Sequence, residues 1–95
     1  MQMTKAERDH LDRLAGMGCI LCNLLGYGDT PAQVHHLRDG QGMGQRSNHY
    51  HAIPLCYEHH QGRDGLHGLG TRGFERRYGY TEARLLEIVR GRLGV

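Results

Sequence analysis

Two ligand pairs constrain this chain more than any other feature in it. Cys19 and Cys22 form a C-x-x-C turn, and Cys56 with His59 repeats that spacing further along. Two thiolates so separated reach one metal from a tight knuckle, and three sulfurs with one imidazole nitrogen match tetrahedral zinc. The expected role is structural, a Zn2+ ion tying the N-terminal knuckle to the central helix. The chain needs such a staple, because it has 95 residues, 15 of them Gly, with one Phe and no Trp. A domain of that length has a modest core, and glycine raises the entropy cost of folding. Its three Cys allow at most one disulfide with one left over, which argues against a disulfide framework. A thioredoxin-like redox reading of Cys19-Ile20-Leu21-Cys22 competes. Against it, no helix clearly begins inside the motif and no βαβ pattern surrounds it.

The remaining pattern reads as a small α+β domain. Thr4 followed by Glu7 is a capping-box signature, and Leu11, Leu14 and Ala15 recur at helical spacing, predicting a helix over 5–15. Gly16 and Gly18 stop it. Residues 33–37 and 51–55 read as short strands, the second ending at Pro54, with a polar glycine-rich loop from Asp39 to Asn48 between them. Residues 56–61 look like a short helix. A second glycine-rich stretch flanks His67. Thr71 is the expected cap of a helix that pairs Phe74 with Tyr78 and ends at Gly79. Thr81 caps a last helix with an apolar stripe of Leu85, Leu86, Ile88, Val89 and Leu93, read as core filler. The whole chain, 1–95, is expected to be one domain: an N-terminal helix (1–18), knuckle and ββα core (19–67), and C-terminal helices (71–95).

Charge is mildly basic, with a net +2 and eleven of the twelve cations Arg. Guanidinium forks suit phosphate oxygens, though a charge cluster by itself is equally a solvated helix face. The longest apolar runs are a few residues, far short of the ~20 that span a bilayer. The N-terminus is too charged for a signal-peptide core. A cytoplasmic location follows as the default, and reduced thiols there suit metal binding.

The zinc assignment leaves several histidines over. His35 and His36 share a strand, His60 adjoins a zinc ligand, and His67 sits among glycines. Each alone is an ordinary histidine. Together, a strand pair, a hairpin return and a helical His place several imidazoles around one point. Neighbouring strand residues face opposite sides, so His35 and His36 should have different roles.

The order CILC, VHHL, IPLC and EHH with a later His resembles the HNH endonucleases, with their ββα-metal (His-Me finger) core and zinc knuckle. More narrowly, the continuous stretch from Cys19 to His60 is similar to the Ref-type (recombination enhancement function) nucleases of temperate phages. The resemblance implies a metal-dependent DNA endonuclease, RecA-dependent and phage- or prophage-encoded, working in the cytoplasm of a bacterial host. Its implied partners are DNA and the RecA filament, with no membrane. The competing reading is a non-catalytic zinc module that binds nucleic acid or a recombination protein.

Carried over position by position, the resemblance implies that His36 is the general base. It likewise implies that His35, His60 and His67 hold a catalytic divalent metal such as Mg2+, Mn2+ or Zn2+. Asp64, one helical turn after His60, is the alternative third ligand, although Gly62 and Gly65 argue that the helix has ended by then. The middle asparagine of HNH proteins falls about where His51 stands, with Asn48 three residues earlier, so His51 is the expected loop tether. Arg38, Arg46, Arg63, Arg72, Arg76 and Arg77 are candidates for gripping DNA phosphates. The Gly40–Gln45 loop is a candidate for close approach to DNA. No recognition helix stands out, so sequence preference should be weak. His10 and His49 are left without a role.

Overall fold

The computed structural model describes residues 3–37 and 49–95. Arg38, Arg46, the Gly40–Gln45 loop and Asn48 lie outside them. The first helix, α1 (Lys5–Gly16), begins with the expected reciprocal cap: Glu7 N–H donates to Thr4 Oγ1 at 3.1 Å, and Thr4 N–H donates to Glu7 Oε1 at 2.8 Å. That bond from the Thr4 backbone holds the Glu7 carboxyl below its usual range. α1 buries His10 and Leu14, and Gly18, at φ 78°, turns the chain into the knuckle.

The knuckle differs from expectation in one respect. A short helix, α2 (Ile20–Leu24), does begin inside C-x-x-C, with Cys19 as its N-cap and Cys22 N–H donating to Cys19 Sγ at 3.4 Å. The physical reason is that a sulfur acceptor at the N-cap satisfies one of the free amides of the first turn. One of the two premises against a redox motif therefore fails, while the other holds, since the described strands form no βαβ unit. The grouping of Cys56 and His59 with both cysteines still argues for a metal.

Strands β1 (Gln33–His36) and β2 (Ala52–Leu55) pair antiparallel, with His35 opposite Ile53 and His36 opposite Ala52. Pro54 lies within β2, opposite Val34, and does not end it outright. A two-stranded sheet leaves alternate amides of each strand unbonded by its partner, so a missing N–H is tolerated there. All four β2 residues are buried.

A four-residue helix, α3 (Tyr57–His60), follows directly. The chain then folds back so tightly that a Cβ at Gly65 would lie 2.5 Å from the Glu58 carbonyl oxygen. A Cβ at Gly68 would meet the Gly62 carbonyl oxygen at the same 2.5 Å. Glycine is therefore what lets the next helix start against α3. That helix, α4 (Leu66–Tyr78), absorbs the second glycine-rich stretch and is broken at Gly70 (φ 75°, ψ 169°). The break falls one residue before Thr71, which is helical and exposed and is not the cap. Phe74 and Tyr78 pack as expected, ring centroids 4.9 Å apart, and Gly79 closes the helix in the left-handed region.

The last helix, α5 (Glu82–Leu93), is capped by Thr81 Oγ1, which accepts from Arg84 N–H at 3.0 Å. Leu85 and Val89 are buried with Leu14, Ile20, Leu21, Ile53, Leu55 and Phe74 in one core, while Leu86, Ile88 and Leu93 pack at its margin. The result is the expected small α+β arrangement, a two-stranded hairpin wrapped by helices. No helix among the described residues is long and apolar enough to cross a membrane.

Candidate metal centres

α3 carries one member of each of two ligand clusters. His59 points to one side, where its Nδ1 lies 3.8, 3.5 and 3.3 Å from the sulfurs of Cys19, Cys22 and Cys56. Cys22 and Cys56 Sγ are 3.8 Å apart. A tetrahedral zinc with Zn–S near 2.3 Å and Zn–N near 2.0–2.1 Å has edges of about 3.8 Å (S–S) and about 3.6 Å (S–N). These four separations lie close to the edges that such an ion requires, and all four residues are buried. Burial pushes the Cys19 thiol up to about 12, so an ion bound there would have to displace its proton. Burial also lowers the His59 ring below its ordinary value, which keeps it neutral and able to ligate. This cluster can hold a metal ion, and its soft donor set fits zinc.

The second cluster gathers His35 from β1, His60 from the end of α3 and His67 from the start of α4, their ligand atoms all within 4.8 Å of one another. The rings stand edge-on to each other, with centroids 4.9 Å apart for His35–His60 and His60–His67 and 5.9 Å for His35–His67. Of the two candidates for third member, His67 joins the group. Asp64 instead faces Arg77 at 3.5 Å, and its carbonyl oxygen accepts from the Tyr78 hydroxyl at 2.6 Å. The cluster borders a cavity of about 190 Å³ lined by His35, Leu66, His67, Gly70, Thr71 and Glu82.

Two side chains that sequence reasoning passed over hold these rings. His60 Nδ1–H donates to Gln33 Oε1 at 2.8 Å, and the same oxygen accepts from Gln61 Nε2 at 3.2 Å. His35 Nε2–H donates to Glu82 Oε2 at 2.7 Å, both side chains being almost wholly buried. A ring that donates through one nitrogen carries its lone pair on the other, the pattern common around protein-bound metals. Gln33 sits two residues before His35, a same-face strand spacing that sequence could have flagged.

His36, the next residue on β1, is not one of the three. Its Nε2 lies 3.1 Å from His49 Nδ1, so the histidine left without a role is the neighbour of the expected base. Burial, then the charges of His49 and His35, lower the His36 ring below its ordinary value and keep it neutral. His51 contributes its backbone carbonyl, which accepts from Leu37 N–H at 3.0 Å just beyond the hairpin's paired residues. His10 packs its ring against Tyr50, centroids 4.9 Å apart, remote in sequence from both clusters. Arg63, Arg72, Arg76 and Arg77 are exposed; Arg72 and Arg76 are one turn apart on α4, beside the cavity residue Thr71.

The family model described as "recombination enhancement, RecA-dependent nuclease" matches residues 3–91. No curated protein matches the chain.

Proposed function

The chain belongs to the recombination-enhancement, RecA-dependent nuclease family, and from that premise we propose that it is an HNH-type, metal-dependent DNA endonuclease. The observation that carries this reading is the three-histidine cluster open to a cavity, with a neutral histidine next to it along the same strand. In this reading Cys19, Cys22, Cys56 and His59 hold a structural Zn2+, and His35, His60 and His67 hold a second divalent ion. Three nitrogen donors favour a transition-metal dication over Mg2+, which prefers oxygen ligands. When bound, that ion would supply Lewis-acid stabilisation of charge on the phosphate and the departing oxygen.

His36 is the general base. In the tautomer that donates Nε2–H to His49 Nδ1, His36 keeps its Nδ1 lone pair for the proton of an attacking water. That water's oxygen attacks phosphorus as its proton passes to His36 and the phosphodiester P–O bond breaks. A neutral imidazole is the form that can accept the proton, which burial of His36 favours. His49 fixes the ring and disperses the charge that His36 gains. Arg63, Arg72 and Arg76 are the candidates for holding backbone phosphates near the cavity, and Arg77, already shared with Asp64, is a weaker one. The substrate setting is DNA engaged by a RecA filament, a reading supported by the family description, in the cytoplasm of a bacterial host.

The test is cleavage of a duplex paired to a RecA-coated single strand, and of the same duplex alone, with and without added Mn2+ or Zn2+. Nicking that needs both filament and metal, and that His36→Ala lowers by about 10²–10⁴ at unchanged DNA affinity, is the expected result. DNA binding without cleavage under every condition would leave a non-catalytic binding module instead. Equal nicking by wild type and His36→Ala would remove His36 as the base.

A further inference from the structure

Glu82 is the only buried carboxylate among the described residues, 3% exposed, and it belongs to a helix to which sequence reasoning assigned no chemistry. As the first residue of α5 it has an obvious alternative place. A carboxylate there ordinarily lies in solvent, facing the positive end of its helix. Here it is turned inward to His35 Nε2 at 2.7 Å and lines the cavity beside His35 and His67. Taking a carboxylate out of water is costly unless a charged or strongly donating partner compensates it. Its partner is a ring of the three-histidine cluster, 47 positions away in the chain.

We propose that Glu82 is a positioning residue for the three-histidine centre, fixing His35 with its proton on Nε2 and its Nδ1 lone pair available to a divalent cation. The inference rests on the reading of His35, His60 and His67 as metal ligands. Its carboxylate would also strengthen His35 as a donor, because a ring hydrogen-bonded to an anion holds more electron density on its other nitrogen. Gln33 does the corresponding work for His60 with a neutral oxygen. His35 is thereby the stronger-donor ligand of the set, and α5 becomes part of the site through one residue. Since Leu85 and Val89 of the same helix are buried in the core, the carboxylate is held by packing that does not depend on the ion.

The full chain carrying one equivalent of Zn2+ is titrated with Co2+, whose visible bands at an all-nitrogen site report the second equivalent directly. Glu82→Gln keeps an oxygen that accepts the same hydrogen bond without the charge, and Glu82→Ala removes the acceptor. The expected weakening of Co2+ binding is about 10-fold for Glu82→Gln and about 100-fold for Glu82→Ala, with the zinc equivalent retained. If Glu82→Ala does not fold, Glu82→Gln alone carries the test. Wild-type Co2+ affinity and band positions in Glu82→Gln would overturn the positioning role. His67→Ala separates this from the parent reading. If it still binds the second equivalent like wild type, the three-histidine centre itself is wrong. If it loses that equivalent while the Glu82 variants do not, only the role of Glu82 falls.

Discussion

The two ligand clusters share one helical turn and contrast in nearly every other respect. The thiol-rich cluster has four donors, all buried, with separations close to tetrahedral edges. The imidazole cluster has three donors, one of them exposed, and borders an open volume of about 190 Å³. Closed four-donor sites hold folds together, whereas three-donor sites leave a position for water or substrate. The difference teaches that burial and donor count, more than residue type, separate a staple from a reactive centre in a chain where His59 and His60 are neighbours.

The largest expected effect comes from attacking the closed cluster. Cys56→Ala should cost the chain its zinc and its fold together. Structural zinc contributes roughly 10 kcal/mol or more, comparable with the ~5–15 kcal/mol total stability of a domain. Loss of far-UV circular dichroism with loss of bound zinc would be the reading; a folded, zinc-free variant would break the contrast. His67→Ala attacks the open cluster instead. Because His67 is exposed, melting should shift by no more than about 0.5 kcal/mol while nicking disappears. Cleavage retained in that variant would mean the open cluster is not where the chemistry occurs.

A finer test concerns His49, which stands behind the expected base. His49→Ala should lower nicking less than His36→Ala, by about 10-fold, with metal content unchanged, measured as initial rates on the filament-bound duplex. Equal effects from the two variants would make the pair a single unit. The smallest effect supplies a baseline outside both clusters. Burial, then the charges of Arg13 and Arg90, lower the His10 ring below its ordinary value. The unfolded chain takes up that proton near pH 6.5, and the folded chain only at lower pH. Stability is therefore fully present above about pH 6.5 and falls as pH drops below it. Thermal melts of zinc-loaded wild type and His10→Phe should diverge in that window, the variant losing less, and parallel curves would exclude a role for His10.

What sequence made legible was local or metal-directed. The Thr4–Glu7 box, the Phe74–Tyr78 pair and the Gly79 stop stand in the fold as expected, and the paired spacings bring Cys19, Cys22, Cys56 and His59 together. Each is written in residues three or four apart, or in donors that one ion must gather. Glu82 was legible only as a helix-start acid, since nothing near it in the chain reveals a partner on β1. His49 was hidden for the same reason, its partner lying across the connection between the strands. Thr71 misled because a threonine before a helical run imitates a cap, while the break one residue earlier uses the backbone freedom of Gly70. The short α2 helix carries too few residues for periodicity to register.

The adjacency of His59 and His60 on α3 also sets a phase. Successive helical residues point about 100° apart, so consecutive histidines address two different directions from a single turn. Inserting one residue between them would swing His60 by another ~100°, taking it off the second cluster while leaving Cys56 and His59 at their spacing. A deletion would merge the two directions into one. This four-residue helix therefore works as an angular divider, and its length leaves no spare residue with which to correct an error.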